Sequence, residues 1–322
     1  MTSLKDISEA AGVSIRTVGR VLKGQEYVQA STRKTVVEAA KRLGYRPNRA
    51  AQALKTGRTF EIVAVLNSLD ELHLAKLAAL QEIVQENGYS VHVVFGHRDN
   101  SEPAIWAQAA RSIMPAGVVM FPPYVSDAGN IKSLFPMPCV AIDADVEGVP
   151  CVHIDRPEGV YRAVRRLAAS GRRRIAYMGR ECPSRLDGYR RALAEIDLQP
   201  IELIVPETGS EYEAIRAAFE IFRHAAPDGV QVYSDVMAMG LLRCLHENGY
   251  RVPEDVAVVG FDDRQVASLS WPPLTTVAQP NRAVGEAAGK MILEMIENDG
   301  ETQVHNKVIP TKLIVRESAL AR

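Results

Sequence analysis

The chain has 322 residues, 47% of them hydrophobic and 24% charged, which is ordinary globular composition and long enough for about two domains plus a smaller part. It has no apolar run of the roughly 18 residues needed to span a membrane. Its net charge of −1 hides an asymmetry: residues 1–60 hold 12 of the 38 Lys and Arg but 4 of the 39 Asp and Glu, so a head of +8 sits on a body of −9, and such a head is expected to meet a polyanion.

The first ten residues, MTSLKDISEA, lack the apolar core of a signal peptide. Cys139, Cys151, Cys182 and Cys244 show no C-x-x-C spacing, so a cytoplasmic protein with reduced thiols and no metal is expected. A first helix is predicted from Leu4 to Ala11, with Ser3 as N-cap, Asp6 in its first turn and Gly12 ending it. Ser14 caps a second helix, whose Val18, Val21 and Leu22 form an i, i+3, i+4 stripe. Ile15, Arg16, Gly19, Arg20 and Lys23 form its opposite face. A third helix runs from about Ser31 to Leu43, with Val36, Ala40 and Leu43 inward and Gly44 closing it. Three short helices around one core predict a helix-turn-helix domain over residues 1–46, of a size that enters a major groove.

The outer face of the second helix then has a use. Arg16 and Arg20, one turn apart, can reach base edges or phosphates, because Arg is the usual partner of guanine N7 and O6. Ile15 can touch a thymine methyl. Gly19 costs its helix about 1 kcal/mol relative to alanine, and it lets the helix axis approach DNA. Residues 47–59 read as a linker. Pro47 stops the preceding helix and Asn48 can cap a short one from about Arg49 to Lys55. A helix of two turns is marginal alone, so this segment is expected to fold only when two copies meet on DNA.

The stretch LKDISEAAGVSIRTVGRVLKG, followed by VQASTRKTVVEAAKRLGYRPNRAAQALKTGRT, resembles the DNA-binding head and hinge of the LacI/GalR family of bacterial transcription regulators, without a gap through residues 3–59. That family usually has serine where this chain has Gly19. The resemblance implies DNA contacts by Ser14, Ile15, Arg16, Thr17, Arg20, Asn48, Leu54 and Lys55. Leu54 takes the position of the hinge leucine that wedges into the minor groove at the centre of the operator.

From Phe60 onward strand-like runs alternate with amphipathic helical stretches. The runs fall at 61–66, 89–95, 116–121, 139–143, 174–179, 201–205, 229–234 and 256–261, and the helical stretches include 71–87, 157–169, 184–196, 211–225 and 235–248. Alternating β and α predicts an α/β body of parallel sheets covered by helices. A Gly- and Pro-rich stretch at 150–156 divides it into two doubly wound lobes within a single effector and dimerisation domain, 60–322. Ligands in such sheets lie beyond the carboxyl ends of the strands. That rule marks Asn67, Ser68, Asp143, Arg185, Ser234, Asp235, Asp262 and Asp263.

The body is similar to the periplasmic-binding-protein-like effector domains of the same family. SRLDGYRRAL (184–193) places Arg185, and VVGFDD (258–263) with PPLTTVAQP (272–280) places Asp262, where the family has effector-contacting residues. VYSDVMAMGLL (232–242) places Ser234 and Asp235 at a matching strand-to-helix junction, where Asp235 is read as either an effector contact or the N-cap of its helix. LNSLDELHLAKL (66–77) lacks the Pro and Phe pair the family often carries there. Trp271 is read either as a stacking surface for a sugar or as a packing residue of a crossover strand.

Arg185 and Asp262 favour a ligand with several hydroxyls, which can donate to a carboxylate and accept from a guanidinium. A sugar fits, and Arg165, Arg166, Arg172, Arg173 and Arg174 add a sugar acid or sugar phosphate if they do more than cover a solvated helix end. No nucleophile elbow, phosphate-binding loop or zinc motif is present, so neither catalysis nor a cofactor is expected. The sequence thus reads as a cytoplasmic, dimeric or tetrameric repressor of a palindromic operator, controlled by a small polar effector. The alternative is a sugar-binding or sugar-converting α/β protein with an accessory DNA-binding head.

Overall fold

The computed structural model describes residues 2–22, 27–45, 59–96, 103–121, 134–144, 146, 148–205, 211–298 and 305–320. The chain divides into two compact units, Met1–Thr59 and Phe60–Arg322.

In the first unit, α1 (Leu4–Ala11) opens with a reciprocal cap: the Ser3 hydroxyl accepts from the Asp6 backbone and the Asp6 carboxylate accepts from that of Ser3. It ends at Gly12, whose φ of 64° is the left-handed conformation a helix terminator needs. α2 (Ile15–Leu22) begins where Ser14 Oγ accepts from the Thr17 amide at 3.1 Å. α3 (Ala30–Arg42) completes a core of Ile7, Val18, Val21, Val36, Ala39 and Ala40. One expectation is corrected. Leu43 follows α3 as its C-cap and is 36% exposed, so the inward place goes to Ala39, on the same side as Val36 and Ala40.

The second unit carries two six-stranded sheets. The first orders its strands β11 (Lys307–Ile309), β5 (Cys151–Ile154), β4 (Cys139–Ile142), β3 (Gly117–Met120), β1 (Glu61–Leu66), β2 (Ser90–Phe95). The second orders β12 (Lys312–Ile314), β10 (Thr275–Ala278), β9 (Ala257–Asp262), β8 (Gly229–Val232), β6 (Ile175–Gly179), β7 (Ile201–Ile204). All neighbours run parallel except β10 and β12. Central strands such as β1 and β9 are buried on both faces, which explains their unbroken apolar runs.

The helices of this unit are α4 (Glu71–Glu86), α5 (Pro103–Ser112), α6 (Arg156–Ala169), α7 (Pro183–Ala194), α8 (Glu211–Ala225), α9 (Asp235–Glu247), α10 (Gln265–Leu269) and α11 (Asn281–Glu297). The chain leaves the first sheet after β5, where Asp155 accepts from the Glu158 amide to start α6 at 3.1 Å. It returns after β10 through α11, which packs along α4 in the first lobe. It crosses again between β11 and β12, where Thr311 Oγ1 donates to the Asp155 carbonyl at 3.2 Å. The crossing strands are thereby tied side by side, an arrangement suited to a hinge between lobes.

Two glycines set helix contacts. A Cβ on Gly188 would stand 2.0 Å from the Pro157 carbonyl oxygen, and one on Gly285 would stand 2.1 Å from that of Lys76. α7 therefore lies directly on the start of α6, and α11 on α4, with no room for a side chain at either position. The four cysteines are free thiols. Among the described residues, no helix is long and apolar enough to cross a membrane.

Candidate DNA-reading face and inter-lobe cleft

On the head, the inner stripe of α2 is spent on the core and its outer stripe is left to solvent. Ile15 is 48% exposed despite being apolar, and Arg16 and Arg20 are exposed one turn apart. Ser14 and Thr17 hold each other, hydroxyl to hydroxyl, at 2.9 Å. A Cβ on Gly19 would meet nothing within 4 Å, so the glycine is not required by packing within the head. Tyr27, which the sequence reading passed over, is 94% exposed. An aromatic left that bare on a basic head is a further candidate for a nucleic-acid contact. Asn48, Leu54 and Lys55 lie outside the described residues.

In the body, most of the residues picked from strand ends gather where the lobes meet, whereas Asp263 turns to Arg316, 2.7 Å away. Arg185, in the first turn of α7, is 4% exposed. Its guanidinium lies 4.2 Å from the Tyr233 ring centre and 4.0 Å from that of Phe261, and it donates to the Tyr233 carbonyl. The two rings fix its plane, while its buried Nε has no hydrogen-bond partner. Asp262, at the end of β9, sits next to Phe261. One of its oxygens accepts from Gln279 Nε2 at 2.5 Å and the other lies 3.5 Å from Arg264 Nε. Burial pushes the Asp262 carboxyl up, against the pull of Arg185, Gln279 and Arg264.

Asp235 is not the N-cap of its helix. Ser234 is, accepting from the Met237 amide at 3.1 Å. The Asp235 carboxylate turns inward, accepting from Thr276 Oγ1 at 2.6 Å and from the Arg264 amide at 2.7 Å. Burial pushes its pKa up to about 7 although both hydrogen bonds favour the charged form. Asp235 therefore shapes the junction beneath Asp262.

On the first lobe, Asn67 and Ser68 follow β1. Asn67 Oδ1 is buried without a hydrogen-bond partner, and so is Asn281 Oδ1, at the first residue of α11. Ser68 Oγ lies 3.2 Å from His73 Nδ1. Asp70 caps α4 by accepting from the His73 amide at 2.9 Å and meets the His73 ring at 2.7 Å. Its other oxygen accepts from Arg264 of the second lobe at 2.9 Å. Burial opposes ionisation of Asp70, but the bonds from His73 and Arg264 prevail and hold its carboxyl well below the usual carboxylate range.

Behind this contact lies a buried ion cluster. Asp143, with φ of 55°, accepts from the Ile154 amide and from Arg156, both at 2.8 Å, and lies 3.4 Å from Lys76 Nζ. Lys76 is also 3.4 Å from Gln279 Oε1. Burial lowers the Lys76 ammonium pKa and opposes charge on Asp143, which Arg156 and Lys76 nevertheless keep ionised. The sequence reading named Asp143 but missed Lys76, Arg156, Gln279, Arg264, Asp70 and His73. A signal for Lys76 was present: it stands four residues after Leu72 and four before Leu80, a cation on the apolar stripe of α4.

Two readings that the sequence left open are narrowed here. Trp271 is 88% exposed, so it is not a packing residue, and it takes no part in the network just described. The arginines at 165–174 do not feed the cleft. Arg172 is fully buried and donates to the Pro253 and Glu254 carbonyls, while Arg174 donates to those of Ala225 and Ala226. Arg165 pairs with Glu195, and Arg166 donates to the Ala319 carbonyl. Residues 172–174 precede β6, whereas Arg185 follows it, so this group closes chain ends at the opposite end of the sheet. It supplies no argument for an acidic or phosphorylated ligand.

Comparison with known proteins places this geometry. Residues 3–48 match the family described as bacterial regulatory proteins, lacI family, and residues 164–319 match the periplasmic binding protein-like domain. The HTH-type transcriptional regulator RegA of Clostridium saccharobutylicum is 32% identical over 333 residues, covering 99% of both chains. CelR of Thermobifida fusca is 31% identical over 345 residues, covering 98% of both, and the repressor PurR of Vibrio cholerae is 30% identical over 314 residues, covering 92% of both. Among solved structures, the Lac repressor dimer bound to operator and the anti-inducer ONPF superposes with a TM-score of 0.81 at 27% identity, covering 99% of each chain. A CelR–cellobiose complex superposes with a TM-score of 0.70 at 28% identity, covering 99% of this chain and 100% of its own. With a helix-turn-helix head, a two-lobed body and relatives that match it end to end, the chain belongs to the lacI family of bacterial regulatory proteins and is a transcriptional regulator, not an enzyme.

Proposed function

We propose that this regulator binds a palindromic duplex operator as a homodimer in the cytoplasm, acts as a repressor, and has its operator affinity set by an uncharged, hydroxyl-rich ligand such as a sugar held between the two lobes. The observation that carries the ligand reading is the pairing of Arg185 with Asp262. A planar donor lies between two aromatic rings with Nε unused, close to a buried carboxylate whose charge Arg185 itself favours. A hydroxyl can accept from the first and donate to the second. The relatives support the reading: a Lac repressor dimer has been solved on operator, and a CelR has been solved with cellobiose. On the DNA side, Ile15, Arg16 and Arg20 of α2 read bases or phosphates. Ser14 and Thr17 help to hold the start of that helix, and Asn48, Leu54 and Lys55 extend the contact along the linker.

The test has two stages. Selection from a random duplex library yields the operator, and calorimetry of the full chain against cellobiose, ribose and related sugars yields the effector. Arg185→Ala and Asp262→Ala should each abolish the response to that sugar, and Arg185→Ala, which leaves the contact of Arg264 with Asp262 and Asp70 in place, should keep basal operator affinity within about twofold. An unchanged dose response in Asp262→Ala would remove the ligand site from this cleft.

A further inference from the structure

Arg264 occupies an unusual place. Its backbone amide is pinned by Asp235 at 2.7 Å, and the next amide, that of Gln265, donates to Glu71 of the first lobe at 3.1 Å. From that anchored position its guanidinium reaches Asp262 of its own lobe at 3.5 Å and Asp70 of the opposite lobe at 2.9 Å. With Gln279 on the remaining oxygen of Asp262 and His73 on that of Asp70, every carboxylate oxygen of the pair is engaged. Both carboxylates stand at the C-terminal edges of the sheets, one on each side of the cleft.

We propose that Arg264 is a built-in stand-in for the effector: it fills the donor position between Asp262 and Asp70 and thereby holds the ligand-free lobes together. A bound sugar must replace its contacts at Asp262. A ligand with donors at one end only releases Asp262 and leaves Arg264 on Asp70, whereas a ligand with donors at both ends displaces the guanidinium entirely. Arg264 thus sets which ligands change the closure of the cleft and which merely bind in it. The role of Asp262 as ligand acceptor rests on the function proposed above. The latch itself does not, since it is a property of the chain without DNA or sugar.

The experiment follows closure alone. Amide exchange of residues 67–72 and 262–266 and the radius of gyration are measured on the full chain, without DNA or sugar, for wild type, Arg264→Met and Asp70→Asn. Both variants should exchange about tenfold faster in these two segments and scatter as a larger particle. Methylguanidinium chloride at millimolar concentration should reverse the change in Arg264→Met, by filling the vacated position, and leave Asp70→Asn open. Wild-type exchange in Arg264→Met, or an opening that methylguanidinium leaves untouched, would overturn the latch. Because Asp70 is partly exposed and lies at a helix start, Asp70→Asn keeps the test decisive if Arg264→Met folds poorly. Failure of the functional reading shows elsewhere, as absence of operator or sugar binding in the wild type.

Discussion

Asp235 illustrates how one residue can tune this regulator. Its carboxylate is enclosed by Thr276 and the Arg264 backbone, and a Cβ on Gly260 would stand 2.3 Å from its Oδ1. Burial raises its pKa from the ordinary 3.8 to about 7. The folded state then holds a proton that the unfolded chain has lost, so the stability this residue contributes falls as pH rises between those values and stays low above them. Asparagine can still accept from Arg264 and can donate to Thr276, yet it cannot ionise. Asp235→Asn should therefore gain on wild type by on the order of 2 kcal/mol between pH 5 and pH 8. Urea unfolding of both proteins at the two pH values measures it. A stability difference that does not move with pH would show that Asp235 is charged throughout.

At the scale of elements, α2 has one face fixed by the core and the other free, and the free face gives a prediction. Arg16→Ala should cost about 1–3 kcal/mol on the selected operator and relax preference at one base pair. Uniform weakening on all duplexes would reassign Arg16 to phosphate. Gly19→Ser is its companion: the open space at that Cβ means the head should keep its stability, and any change in affinity then reports the DNA side alone. The same scale shows what could be read from sequence. α1, α2 and the strands β1, β6 and β9 were legible because caps and unbroken apolar runs are local signals. β5, β11 and β12 are three or four residues long and lie in or near crossovers, so nothing local marks them. α11 is readable from its helical period, since Arg282, Glu286, Lys290 and Glu294 form an outer face at four-residue spacing opposite its buried apolar side. Arg185 and Asp262 came from the family resemblance, and strand-end position agreed. Lys76–Gln279 and Asp70–Arg264 could not be foreseen, because their partners lie 203 and 194 residues apart and become neighbours only when the lobes fold together.

For the whole molecule, the question is how one head per chain becomes a specific regulator. A single helix reads one half-site, and two heads on a palindrome add their contacts. The body has to supply the link between copies, and among its exposed apolar side chains one group lies on neighbouring elements of the second lobe. Val236 at the start of α9 is 43% exposed, Val266 and Leu269 of α10 are 40% and 75%, and Trp271 just beyond is 88%. α9 packs against α10, so these side chains belong to neighbouring elements. On the first lobe, α4 is largely engaged by α11 within its own chain, although Leu74 remains 49% exposed. Large apolar groups held in water gain by meeting a second copy, at roughly 25 cal/mol per Å² buried, and a two-fold contact sets each patch against itself. Carboxylates there would face each other across the axis and repel. Leu269→Glu with Trp271→Glu should therefore yield a folded monomer, since neither side chain contributes to a core. Sedimentation equilibrium would report the mass directly. On DNA the consequence is quantitative: with half the phosphate contacts, the slope of log affinity against log salt should fall to about half its wild-type value, and operator affinity should drop by at least about 100-fold. A doubly substituted chain that still sediments as a dimer, with an unchanged salt slope, would move the interface away from this face.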